Sequence, residues 1–356
     1  MHQKFSKLRF GEFTKTATLV AVGGVAALQA DEALAVPATG SGTGAFTINA
    51  GNATWFLNNN IACCTTSSNW GFSEGSLSGG VFNDAFDGAI SWLVSTGVPG
   101  AADGYRSPGG TIDISPAYPT NPAAGTTATG TVQVLAGLNV HGEIYFSPSR
   151  AVARSMIVLQ NPTGAPITVN VGNMSNWGSD SNTQYRLTSS GDAVWDPSDN
   201  WTVSEQENPP GTYLGSDPPL TMAYQQNGSL VRGTPNPVPV NGSDSFYMFY
   251  NGITIPPGQT RRLMVFVQMS TSLAAATSSA PNFSSPSALA AAGLLTGLTP
   301  ASAAQIVNWN GAALAGALGN TIPTLGEWGL IALGWLLGLF GMRHLSKTLP
   351  RRGTTA

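Results

Sequence analysis

Between residues 40 and 270 the apolar positions fall in short runs with strand spacing, and no extended helix-period pattern interrupts them. In Pro166-Ile167-Thr168-Val169-Asn170-Val171 the alternation places Ile167, Val169 and Val171 on one face of a strand. Denser runs, Ser155 to Leu159, Phe246 to Tyr250 and Leu263 to Val267, predict strands covered on both faces. Turn formers separate them: Asn161-Pro162-Thr163-Gly164, Gly191-Asp192, Asn241-Gly242 and Pro256-Pro257-Gly258. This pattern predicts an all-β body over residues 36–270, an antiparallel β-sandwich. No repeat period emerges, which argues against a propeller or solenoid. Residues 115–129, with Pro116, Pro119 and Pro122, break the strand pattern. They read as a long surface loop rather than a boundary between two lobes, because the strands on either side are too few to close two sandwiches.

After Met269 the composition shifts to Ala, Ser and Leu. Ser285 and Pro286 cap a segment from Ser287 to Leu295, and Thr299-Pro300 opens another that runs through Gln305 to Trp309. Residues 271–309 are thus expected to form two short helices that dock on the sandwich through Leu294, Leu295, Ile306, Val307 and Trp309. Residues 310–321, rich in Gly, Ala and Asn, read as a spacer.

The two ends of the chain carry a different pattern. Lys4, Lys7, Arg9 and Lys15 precede an apolar run from Ala17 to Ala30, the order of a secretory signal peptide. Ala33-Leu34-Ala35 supplies a small-x-small cleavage pattern, so residues 1–35 are expected to be removed by signal peptidase and the mature chain to begin near Val36; Leu28-Gln29-Ala30 is a poorer site. Near the other end, Leu330 to Met342 is apolar and is followed by Arg343, Lys347, Arg351 and Arg352, which predicts a single transmembrane helix with its basic end inside. Trp328 to Met342 gives about 22 Å of helix, against a hydrocarbon core of about 30 Å. So short a span suits a temporary handle better than a permanent anchor.

Ile322-Pro323-Thr324-Leu325, followed two residues later by Trp328-Gly329, the apolar stretch and the basic cluster, resembles the IPTL-CTERM class of bacterial protein-sorting signals. The resemblance covers residues 322–356 and implies an exosortase-type membrane transpeptidase as partner, cutting near the motif and passing the exported protein to the cell surface. More weakly, Arg154 to Pro162, Trp177 to Thr183, Thr188 to Asp192 and Pro257 to Arg262 resemble β-rich extracellular regions of other exported bacterial proteins. That likeness supports the sandwich and implies no chemistry.

Charge separates the body from its ends. Residues 36–321 hold seven Arg, no Lys and fourteen acidic residues, a net charge of −7. Nucleic acid and anionic lipid are excluded as partners of such a surface, since both need clustered cations.

Catalytic constellations are sparse. His141 is the one histidine of the exported region, which excludes a multi-His zinc site. There is no H-E-x-x-H or phosphate-cradling loop. Glu143 with Asp84 or Asp87 would make a carboxylate pair for glycoside hydrolysis, though any acidic β protein offers such pairs by chance. Asp192, Asp196 and Asp199 admit a calcium reading beside the ordinary one of turn formers. Cys63 and Cys64 are adjacent and are the only cysteines; a vicinal disulfide, a reduced pair or bridges to another chain all remain open. Most Trp side chains are expected in the core. Trp70, Trp177, Trp195 and Trp201, which lie beside turn residues, are the candidates for stacking on sugar rings.

Two function classes follow. One is a non-enzymatic surface or extracellular-matrix protein acting by display, structure or adhesion. The other is a secreted protein that binds or cleaves a surface glycan.

Overall fold

The computed structural model describes residues 46–319 except 62–68, 78–81, 109–111, 116–124, 180–181, 208–214 and 237–239. The signal segment, Cys63 and Cys64, and the C-terminal motif with its apolar stretch and basic tail lie outside the described residues.

The body is β-rich, and its strands form two antiparallel sheets. The smaller runs in the order β1 (Phe46–Ala50), β2 (Ala53–Ile61), β3 (Asn69–Leu77), β4 (Phe86–Ser95), β10 (Ile167–Trp177), β15 (Ser245–Ile255), β14 (Gly233–Pro235). The larger runs β11 (Thr183–Thr188), β12 (Trp201–Gln206), β13 (Leu220–Ala223), β16 (Thr260–Met269), β9 (Val152–Gln160), β8 (Leu138–Phe146), β6 (Thr126–Gly130), β5 (Ile112–Ser115), with β7 (Gln133–Leu135) paired to β8. Among the described residues four short α-helices follow: α1 (Leu273–Ser279), α2 (Pro286–Ala291), α3 (Pro300–Ala304) and α4 (Gly311–Gly319).

The dense apolar runs acquire their reason here. Along β9 and β16 the side chains of Ala153, Ile157, Leu159, Leu263, Val265 and Val267 join the core shared with the smaller sheet. Their neighbours Val152, Met156, Met264 and Phe266 point the other way, into a second core made with the helices. A strand alternates its side chains between faces, so a strand with both faces buried shows no polar alternation. In the first core Trp55 and Phe72 of the smaller sheet meet Phe146 of the larger and Phe86 stacks on both, with the Trp55 and Phe72 ring centroids 5.2 Å apart. The β1–β2 hairpin turns on Gly51 and Asn52, both at positive φ (61° and 64°), the backbone that a two-residue turn of matching twist requires.

Of residues 115–129, Ser115 pairs with Thr127 across adjacent strands of one sheet, and 116–124 lie outside the described residues. The helical region departs from expectation in two places. A helix, α1, precedes the two expected, capped by the Ser272 hydroxyl accepting from the Ala275 N–H. The expected spacer holds α4, whose Leu314 is fully buried and whose first turn is capped by Asn310 Oδ1 accepting from the Ala313 N–H at 3.1 Å. The expected docking residues Leu294, Leu295, Ile306, Val307 and Trp309 are all buried. No helix among the described residues is long and apolar enough to cross a membrane.

Candidate functional site

A cluster of charged residues lies on the outer face of the larger sheet, beneath the rim of the helical cap. Strand order β16-β9-β8 and the antiparallel register place Arg262 opposite Val158, and His141 opposite the same residue on the other side. Arg262 Nη1 donates to both Glu143 oxygens, at 3.1 and 3.2 Å, while its Nε donates to Gln305 Oε1 at 2.9 Å. His141 Nε2 lies 3.1 Å from Glu143 Oε1. Arg154 stacks over the Tyr145 ring, 4.8 Å from its centroid, and donates through Nη1 to the Leu294 carbonyl at 2.7 Å.

Electrostatics fixes what this cluster can do. Burial alone would push the Glu143 carboxyl up, but the hydrogen bond from His141 and the Arg262 and Arg154 charges outweigh it and hold it at about 2. Burial pulls the Arg154 guanidinium down to about 10, opposed by the Glu143 charge, so it stays a cation at neutral pH. A carboxylate held so low is a poor proton donor or acceptor near neutrality. The cluster is a clamp between sheet and cap. Two neighbours strengthen it: buried Asn308 donates to the Tyr224 and Met264 carbonyls at 2.8 and 2.7 Å, and Trp309 Nε1 donates to the Met264 carbonyl at 2.6 Å.

The charges that act on Glu143 come from His141, Arg262 and Arg154, and neither Asp84 nor Asp87 is among them. Asp84 instead acts on Glu74, a residue that sequence reasoning did not single out; it lies in Gly71-Phe72-Ser73-Glu74-Gly75, whose G-x-S-x-G spacing falls inside β3 and not at a strand-to-helix turn. Burial raises the Glu74 carboxyl to about 7, with the Asp84 charge adding to the shift and three backbone N–H groups opposing it. Those donors are Gly75, Ala85 and Phe86, at 2.6, 3.0 and 3.4 Å from Glu74 Oε1. Ala85 also lines a small, partly open pocket of about 10 Å³ with Trp177, Ser179, Gln206 and Asp217.

The four tryptophans expected to meet sugar are core residues. Trp70, Trp177, Trp195 and Trp201 are all buried, with Trp201 the most exposed at 6 %. Trp70, Trp177 and Trp201 stand at strand ends and Trp195 in the segment between β11 and β12, but the rings turn inward: Trp70 packs on Tyr105 and Trp195 lies between Tyr185 and Tyr224.

Asp192, Asp196 and Asp199 act as turn acceptors. Asp192 Oδ1 accepts from the Val194 N–H and the Thr188 hydroxyl, and Asp196 Oδ1 from the Ser198 N–H and hydroxyl. Buried Asp199 accepts from the Ser189 hydroxyl, the Ser190 N–H and the Asp196 N–H. Arg232 locks the same turn by donating to the Pro197 and Ser198 carbonyls at 3.0 and 2.9 Å. Among the described residues no group of three or more His, Cys, Asp or Glu is arranged to hold a metal.

No curated protein matches the chain. Solved structures similar to parts of it include the Slr1438 protein of Synechocystis sp. PCC 6803, at 11 % identity over 66 % of this chain and 100 % of that one, with a TM-score of 0.39. A galactose mutarotase-like protein from Lactobacillus casei ATCC 334 is 10 % identical over 64 % of this chain and 100 % of its own, with a TM-score of 0.38. A Paenibacillus xanthan lyase is 10 % identical over 68 % of this chain and 26 % of its own, with a TM-score of 0.34. Likenesses this distant assign no activity. The C-terminal comparison is specific: residues 321–352 match the model of the IPTL-CTERM motif, so this β-rich body is followed by a C-terminal sorting signal of that kind.

Proposed function

We propose that the protein is exported, is held by a single transmembrane helix over Leu330 to Met342, and is processed at its C-terminal motif by an exosortase-type membrane transpeptidase. It then works at the cell surface or in the extracellular matrix by display, structure or adhesion. The match of the ordered motif, apolar stretch and basic tail at residues 321–352 carries this reading. The lysine-free, net negative body fits a surface role, since it has no affinity of the counterion-release kind for nucleic acid. The test is replacement of Pro323 and Trp328 by Ala, which leaves Leu330 to Met342 and the basic cluster intact. Full-length protein then accumulates in the membrane if the motif is read by an enzyme. If the segment is only an anchor, the substitutions alter little.

A second reading, a carbohydrate-active protein, is favoured by one observation, the proximity of Asp84 to a Glu74 carboxyl raised to about 7. A glycan array and a hydrolysis screen on wild type and Glu74→Gln separate the two. Glycan turnover lost in the variant supports the second reading, and no glycan binding by the wild type removes it.

A further inference from the structure

The charge distribution and the position of α4 together define a face. From Leu263 to Gly326 the chain contains no Asp, Glu, Lys, Arg or His, so the entire helical cap is uncharged while every charge of the exported body lies earlier. α4 is docked on the rest of the cap: Leu314 is fully buried, and Gly311 packs so closely that an added Cβ would meet the Ile306 and Ala303 carbonyl oxygens at 2.6 and 2.9 Å. α4 ends at Gly319, three residues before Ile322. A chain covers at most about 3.6 Å per residue whatever its conformation, so the sorting motif begins within about 11 Å of the docked helix.

That leash is short compared with a protein. An enzyme that encloses the peptide around Ile322 to Leu325 is forced against the cap, and the surface it meets is one that loses water without stranding a charge. Ala312, Ala313, Gly316 and Gly319 form the exposed part of α4. Resting on the processing reading above, we propose that the uncharged cap, centred on α4, is the surface on which the membrane transpeptidase seats the folded body while it acts on the motif. The occupant is a protein surface, and a lipid surface is the competing outcome.

The test uses the full-length chain in its producing cell, with the rate of tail removal followed by pulse-chase. Gly316→Lys and Ala312→Glu each add one charge to the exposed face. At Gly316 an added Cβ meets nothing within 4 Å. Lys near the C-terminal end of a helix and Glu in its first turn both favour the helix dipole, so neither change undermines α4. Gly316→Ala is the uncharged control. Melting temperatures of the variants at or above wild type verify that the cap stays folded.

Both charged variants are expected to slow processing on the order of tenfold or more, as for an interface that must desolvate an unpaired charge, while Gly316→Ala is processed as wild type. Inserting about 15 Gly/Ser residues after Gly319 adds roughly 20 Å of reach and should relieve the defect. Equal rates for charged variants and wild type would overturn the proposal, as would a defect that the longer leash leaves unchanged. Acceleration by Lys with slowing by Glu would assign the face to an anionic lipid surface instead. A wild-type chain that never loses its tail would remove the processing reading itself, a result distinct from equal rates.

Discussion

Arg262 on β16 grips Glu143 on β8 across the intervening strand β9, with one guanidinium nitrogen 3.1 and 3.2 Å from the two carboxylate oxygens. Its Nε holds Gln305 of the cap at 2.9 Å, so one side chain ties three strands to the helical layer. Replacing Arg262 with Met leaves a largely buried carboxylate facing only His141 and Arg154. The expected cost is about 3 kcal/mol or more, and the double variant with Glu143→Leu should recover much of it, because the uncompensated charge leaves with its partner. Urea unfolding of the single and double variants measures both.

The same pair sets an acid limit. The folded carboxyl of Glu143 sits at about 2, below its ordinary value of 4.5. The unfolded state therefore binds its proton first, and the contribution of this group is present above about pH 4.5 and is lost as pH falls toward 2. Thermal melts of wild type and Glu143→Gln from pH 7 to pH 2 should converge at the acid end. Parallel curves would contradict the assignment.

Glu74 has the opposite sign. Its folded carboxyl is raised to about 7, so the folded state keeps a proton that the unfolded state has lost, and stability declines as pH rises from about 4.5 through 7. Glu74→Gln keeps an oxygen to accept from Gly75, Ala85 and Phe86 and removes the titration. Its melting temperature should exceed that of wild type at pH 8, and the difference should vanish by pH 4.

How much of this was legible in the sequence depended on whether the signal was local. The runs Ser155 to Leu159 and Leu263 to Val267 gave their strands away, because burial on both faces leaves no polar positions to confuse the pattern. α4 was hidden because Gly311, Gly316 and Gly319 look like spacer residues, while the capping by Asn310 and the burial of Leu314 depend on the docked surface. Trp177 and Trp201 misled for a related reason: a neighbouring turn says where the backbone is, not which way the ring points. The clamp was invisible because Glu143, Arg154 and Arg262 meet only through sheet order. Its one trace was an arginine at the start of each of two apolar runs.

Trp309 anchors the cap from inside. It is fully buried, meets the Phe266 ring edge-on with centroids 5.5 Å apart, and donates to the Met264 carbonyl. Trp309→Ala should cost about 3–5 kcal/mol. Proteolysis should then cut first within residues 271–319, leaving the sheets resistant; simultaneous loss of both would show that cap and sandwich unfold as one unit.

The central claim concerns the fate of the C-terminus, because it separates a processed surface protein from a permanently anchored one. Mass spectrometry of the mature wild-type protein recovered from the cell surface reads this directly. The account predicts a chain that ends near the Ile322 to Leu325 motif and lacks Arg343 to Ala356. Recovery of the intact basic tail on the surface product would contradict it.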